Sequence, residues 1–201
     1  MQIPIGHKAF DFSTKAIMPN NEIDSNFNLY NYVKNKKCIL FFYPLDFTFV
    51  CPSEIISFNN RIGQFTDDRD TKVIGISVDS HYSHLAWKNT PVSKGGIGNI
   101  RFPLVSDLNK DIARNYGILN QDGVSYRATV FMDENLIIRH MSINDMPIGR
   151  NVDEILRIVD AWDHYKTHGE VCPAGWHKGD EAMQESAEGV ADYLTSNAAK
   201  L

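Results

Sequence analysis

The stretch Lys37-Cys38-Ile39-Leu40-Phe41-Phe42-Tyr43-Pro44-Leu45-Asp46-Phe47-Thr48-Phe49-Val50-Cys51-Pro52-Ser53-Glu54 decides the fold class. Residues 37–43 form an almost continuous apolar run that Pro44 stops, and it reads as a buried strand. After a loop, Ile55, Phe58, Ile62 and Phe65 recur on one helical face, so a single helix is expected to carry all four. Pro52 suits its first position, and Glu54 places acid in its first turn. A buried strand feeding an amphipathic helix opens an α/β unit.

Further along, Lys72 to Val78 reads as a second buried strand, and Ser80 caps a helix that Pro91 stops. Residues 92–99 read as a loop, followed by a short strand near Phe102 and a helix from Leu108 to Tyr116. Tyr126 to Met132 and Leu136 to Ile143 flank Asp133-Glu134-Asn135 as a hairpin. Asn151 and Glu154 resemble a capping box, followed by a stripe of Val152, Ile155, Leu156, Val159 and Trp162 with Gly169 as terminator. The alternation predicts a mixed sheet covered by helices. Beyond 170 large apolar residues become sparse, so 1–169 is read as the core. Residues 170–201 are read as an arm with one weak helix on Met183, Val190 and Leu194.

Composition excludes several classes of function. A chain of 201 residues, 43% of them apolar, builds a core without disulfide or metal staples. A formal charge of −5 argues against nucleic acid and anionic membranes as partners. No apolar run reaches membrane-spanning length, and the start Met1-Gln2-Ile3-Pro4 lacks the apolar core of a secretory signal, so a cytoplasmic protein is expected. The three cysteines, Cys38, Cys51 and Cys172, form no C-x-x-C pair and suit neither a disulfide scaffold nor a zinc site. Cys38 lies within the first strand and reads as an inert core thiol.

Cys51 is different, because it falls where the helix begins. The unpaired N–H groups and the dipole there favour negative charge, so a thiol at that point ionises more readily. Ionisation alone does little: an ordinary thiol is already roughly 3% thiolate at neutral pH, which leaves about a thirtyfold gain. A fast cysteine enzyme also needs donors placed around the sulfur. Thr48 supplies a hydroxyl one turn earlier, and a distant arginine would supply a cationic fork.

Pro44, Thr48 and Cys51 match the P-x-x-x-T-x-x-C signature of the peroxiredoxins, and Glu170-Val171-Cys172-Pro173-Ala174-Gly175-Trp176 resembles the resolving-cysteine motif of their typical 2-Cys group. The resemblance implies a thioredoxin-like fold with a C-terminal arm, and a peroxidase that needs neither cofactor nor metal. Cys51 would attack a hydroperoxide and become a sulfenic acid. Thr48 would bond thiolate and peroxide, Pro44 would shield the pocket, and Glu54 would orient an arginine network made of Arg127 and Arg150. Cys172 of a partner subunit would close a disulfide that thioredoxin or a dedicated flavoprotein disulfide reductase then opens. The family further implies a homodimer, assembling into a decamer. A chaperone holdase and a general thiol–disulfide exchanger are the competing readings, and the missing C-x-x-C weighs against the second.

Four other features are read more plainly. Gly95-Gly96-Ile97-Gly98 lacks the spacing of a phosphate loop and reads as a flexible loop. In the family it is half of a motif favouring over-oxidation, whose other half, Tyr-Phe, is Tyr193-Leu194 here. His164 and His168 share a helical face but suit the helix dipole better than a metal. His81 and His84 open a helix without visible partners. Phe41, Phe42, Phe47 and Phe49 are expected to wall the pocket or an interface.

Overall fold

The computed structural model describes residues 4–201. Its chain divides into two compact units, one ending at Arg150 and the other Asn151–Leu201.

The first unit is built on a seven-stranded sheet. In chain order its elements are β1 (Ser13–Ile17), β2 (Ile23–Asn28), α1 (Leu29–Val33), β3 (Lys37–Phe42), α2 (Cys51–Asn60), α3 (Ile62–Thr66), β4 (Thr71–Ser77), α4 (His81–Asn89), β5 (Leu104–Ser106), α5 (Asp111–Asn115), β6 (Arg127–Met132) and β7 (Ile138–Asn144). The strand order is β2-β1-β5-β4-β3-β6-β7. β3, β4 and β5 run parallel, while β1, β2, β6 and β7 extend the sheet by antiparallel pairing. This is the mixed, helix-covered sheet expected from the sequence, in a thioredoxin-like arrangement.

β3 sits at the centre, and its alternation sorts the two faces. Cys38, Leu40 and Phe42 join Ile74, Ile76, Ala128, Val130 and Met132 in the main apolar cluster, which α1 and α5 complete with Leu29, Val33, Ile112 and Ala113. Phe41 points the opposite way and stacks on Phe58 of α2, with ring centroids 4.3 Å apart. Gly75 on the neighbouring strand makes room for that ring, because a Cβ there would lie 2.8 Å from Phe41 and from Leu104. Burying Phe41 and Phe58 together stabilises the seat of α2 by about 3–6 kcal/mol, at about 1.5–3 kcal/mol per ring.

The structure differs from the sequence reading at several boundaries. The helix expected across 52–65 is two helices, broken at Arg61. At the break the Asn59 carbonyl and side-chain oxygens accept from the guanidinium and backbone of Arg101 at 3.0 and 2.9 Å. Cys51, not Pro52, is the first helical residue, after an N-cap at Val50. The strand near Phe102 begins only at Leu104, since Pro103 offers no N–H to the ladder. The helix from Leu108 shortens to α5, because the Asp107 carboxylate accepts from Ile112 and Ala113 N–H at 3.0 and 2.7 Å and so fixes the start. The hairpin β1–β2 gave no sequence signal, as Phe27 is the one buried residue of β2.

Gly95 to Gly98 is an anchored turn rather than a flexible loop. Trp87 Nε1 donates to Gly95 O at 2.9 Å, and Gly96 N–H donates to Pro91 O at 3.0 Å. Gly96 lies so close to Thr90 that a Cβ would fall 1.9 Å from its carbonyl oxygen.

The second unit holds α6 (Val152–His168) and α7 (Ala187–Asn197). Asn151 caps α6, accepting from Asp153 N–H at 3.0 Å, and Gly169 ends it in the left-handed conformation. Glu154 grips Arg157 at 2.7 and 2.8 Å. Met183 lies outside the arm's helix and pairs with Val171 in an isolated bridge. Tyr193 is the buried residue of α7, whereas Val190 and Leu194 are exposed. No helix among the described residues is long and apolar enough to cross a membrane.

Candidate active site

The C-terminal end of β3 delivers the chain to a turn, 44–50, and then to Cys51 at the first turn of α2. Cys51 is fully buried. Thr48 Oγ1 stands 3.0 Å from its sulfur and 2.8 Å from Leu45 O. A hydroxyl carries one proton, and a carbonyl only accepts. While the sulfur holds a proton it donates to Thr48 Oγ1, and that hydroxyl donates to Leu45 O. Once the proton leaves, the hydroxyl turns its own proton to the sulfur.

The second donor comes from the neighbouring strand. Arg127, the first residue of β6, places Nη1 3.4 Å from Cys51 Sγ. The same nitrogen donates to Glu54 Oε2 at 2.7 Å, and Arg127 Nε donates to Met146 O at 2.6 Å. Glu54 lies one turn after Cys51 on α2, which brings its carboxylate beneath the sulfur.

Arg150 closes the cluster. Its Nε and Nη2 reach Glu54 Oε1 and Oε2 at 2.9 and 3.2 Å, a bidentate fork, and its backbone N–H adds a bond at 3.1 Å. Nη1 and Nη2 also donate to Ala128 O and Phe42 O at 2.9 and 2.6 Å, so strands β6 and β3 hold the guanidinium directly. Its plane lies 5.4 Å from the Phe41 ring. Burial pulls the Arg150 pKa down, while Glu54 pushes it back up. Side-chain exposure in Glu54, Arg127 and Arg150 is 2%, 5% and 3%. Two guanidiniums against one carboxylate leave one excess positive charge, buried beside the sulfur.

The structure therefore brings Thr48, Cys51, Glu54, Arg127 and Arg150 together, and Pro44 is buried at the head of the same turn. Phe41 and Phe42 belong to the core, while Phe47 and Phe49 project from the turn into the open, Phe49 at 97% exposure. Cys38 is buried, and burial pushes its thiol far above the ordinary range, as suits an inert core residue.

Cys172 lies in the second unit, partly exposed and outside any helix. Its sulfur meets Ala161 O at 3.6 Å. Burial raises its pKa, Arg157 lowers it and Glu170 raises it, with a net upward shift. His164 bonds Glu170 at 3.0 Å, and its ring lies 4.5 Å from that of His168.

Sequence reading left one group of residues unplaced. His84 has partners after all: Nδ1 donates to Asp46 Oδ2 at 2.8 Å, and Tyr43 O–H donates to Asp46 Oδ1 at 2.9 Å. The available signal was Asp46 itself, an acid among apolar residues, but nothing in the spacing joins it to His84.

The AhpC/TSA family model matches residues 5–141, and that of the C-terminal domain of 1-Cys peroxiredoxin matches 161–196. Alkyl hydroperoxide reductase C of Helicobacter pylori is 50% identical over 191 residues, covering 95% of this chain and 96% of that protein. Peroxiredoxin-1 of Gekko japonicus is 47% identical, covering 96% of each. The reduced 2-Cys peroxiredoxin of Plasmodium vivax superposes with a TM-score of 0.91 at 48% identity, covering 95% of this chain and 98% of that one. Matched by such relatives along nearly its whole length, the chain is a thiol-dependent peroxidase of the AhpC/TSA family, the peroxiredoxins.

Proposed function

We propose that Cys51 is the nucleophile that reduces hydrogen peroxide and organic hydroperoxides. The observation that carries this is the pair of donors on one buried sulfur, Thr48 Oγ1 at 3.0 Å and Arg127 Nη1 at 3.4 Å. The thiolate attacks the terminal peroxide oxygen, the O–O bond breaks, and the departing alkoxide or hydroxide takes up from solvent the equivalent of the proton the thiol released, leaving as alcohol or water. Cys51 becomes a sulfenic acid. Arg127 faces the oxygen on which charge develops, and Thr48 orients the peroxide against the sulfur. Pro44 shields the pocket from one side. Glu54 and Arg150 hold Arg127 in place.

Cys172 of a partner subunit then condenses with the sulfenic acid, forming a disulfide and releasing water. Thioredoxin or a dedicated flavoprotein disulfide reductase supplies two electrons to reopen it. On this reading residues 1–169 are the peroxidase core and 170–201 the resolving arm. The exposed Phe47 and Phe49 supply apolar surface for association into a homodimer and a decamer. Three unpaired thiols suit a reducing compartment such as the cytoplasm.

Peroxide consumption with a disulfide reductant tests the assignment. Cys51→Ser is expected to abolish turnover, and full turnover in that variant would refute the nucleophile. Non-reducing electrophoresis of peroxide-treated protein is expected to show a cross-linked dimer, and an oxidised monomer would refute resolution between subunits.

A further inference from the structure

The turn that carries Leu45 and Thr48 does not hold itself in place. Phe47, at its apex, has φ 54, a left-handed backbone that non-glycine residues adopt only where the surroundings impose it. The surroundings here are the end of β4 and one face of α4. Asp46 N–H donates to Asp79 Oδ2 at 2.8 Å, and Ser77 Oγ donates to the same oxygen at 2.7 Å. Asp46 Oδ2 accepts from His84 Nδ1 at 2.8 Å, and Asp46 Oδ1 from the Tyr43 hydroxyl at 2.9 Å. Val105 O lies 3.3 Å from His84 Nε2, on the far side of the ring. The Phe47 ring packs on Trp87, one turn beyond His84, at 5.6 Å. Asp46 and His84 are both buried, so their bonds meet little competition from water.

We propose that Asp46 and His84 are positioning residues for peroxide reduction: they lock the 45–48 turn so that the Thr48 hydroxyl stays on the Cys51 sulfur. The proposal rests on the reading of Cys51 as the nucleophile. Neither residue touches the sulfur. Asp46 grips His84 and Tyr43 with its side chain and Asp79 with its backbone, and it is one residue from Leu45 and two from Thr48. Releasing it frees the oxygen pair that shares the Thr48 proton. The sulfur keeps its helix and its arginine, so its intrinsic reactivity survives while its alignment with an O–O bond is lost.

Two rates on reduced protein separate those properties, both taken in a Cys172→Ser background. One is oxidation by hydrogen peroxide, which needs the Thr48 hydroxyl in place. The other is alkylation of Cys51 by iodoacetamide, which needs the thiolate and access to it but no hydroxyl aligned on an O–O bond. His84→Leu is expected to slow peroxide oxidation about tenfold, less than the roughly 10²–10³ that follows outright loss of an oriented donor. Alkylation is expected to change much less, because Arg127 and the helix N-terminus still face the sulfur. His84→Asn, whose amide nitrogen takes the place of Nδ1, is expected to recover most of the peroxide rate. Tyr43→Phe keeps the core volume and is expected to show a smaller loss in the same direction. Peroxide oxidation at the parent rate in His84→Leu would overturn the proposal. So would an Asn variant no better than Leu, or alkylation falling in step with oxidation. If His84→Leu does not fold, Tyr43→Phe decides, and an unchanged peroxide rate there overturns it. Cys51→Ser run alongside separates the two failures, because peroxide consumption surviving in it refutes the nucleophile and not the network.

Discussion

Cys51 and Cys172 are both followed by proline, and there the likeness ends. Cys51 opens a helix, is fully buried, and meets a hydroxyl and a guanidinium that Glu54 and the Met146 carbonyl hold in place. Cys172 lies outside any helix, is partly exposed, and has a carbonyl oxygen at 3.6 Å as its hydrogen-bond partner. Two guanidiniums and one carboxylate lie beside Cys51. The net environment of Cys172 raises its pKa and favours the protonated thiol. A first thiol must meet a small oxidant in a fixed geometry, and a second must meet a bulky sulfenic acid wherever it is presented. Fixed donors serve the first task, and exposure serves the second.

Exchanging or removing groups on either side breaks this contrast in measurable ways. The largest effect is expected from Cys172→Ser. Its first oxidation by peroxide should proceed at the parent rate in stopped-flow measurements, while reductant-driven cycling should stop. Unimpaired cycling would contradict the resolving role.

On the Cys51 side the arginine cluster is the structural debt of the site. Glu54→Gln leaves two guanidiniums buried with no counter-charge, and should cost about 3–5 kcal/mol of unfolding free energy. Urea titration checks this, and stability equal to the parent would show that the cluster does not need the carboxylate. Thr48→Val should lower the second-order rate with peroxide about 10²-fold, as expected for removing one oriented donor. Thr48→Ser, which keeps the hydroxyl, should retain most of the rate.

Much of this contrast was legible in the sequence, because its parts are local. Cys51 at a strand-to-helix junction and Glu54 one turn later are fixed by helical spacing, and Thr48 stands three residues before Cys51 in the connecting turn. The central strands were legible for a similar reason: β3 and β4 are buried on both faces and are therefore continuously apolar. What was not legible depends on partners far apart in the chain. Nothing near Asp46 points to His84. The Asn59 oxygens beside the break at Arg61 pair with Arg101, far along the chain. The β1–β2 hairpin has one wet face and a single buried residue on β2, so its alternation never rises above that of a polar loop. Arg127 and Arg150 entered through their motif, since spacing alone assigns neither to Cys51.

The smallest effect concerns the pH dependence of the second step. Resolution needs the Cys172 thiolate, since the thiolate and not the thiol attacks sulfur. Its pKa is raised from 9.0, first by burial, against the opposing pull of Arg157. Raising a thiol pKa moves its ionisation to higher pH, so through the neutral range only a small fraction is thiolate. That fraction grows about tenfold per pH unit until the pKa is approached. Disulfide formation after a single peroxide pulse should therefore accelerate with rising pH across that range, approaching about tenfold per unit at its lower end. Arg157→Gln removes the attraction that lowers the Cys172 pKa, and should shift the curve further to alkaline pH. Mass-spectrometric timing of disulfide formation at several pH values reads both effects. A flat profile would mean that Cys172 is ionised by something in the partner subunit, and the contrast between a prepared and an unprepared thiol would then hold only before the two subunits meet.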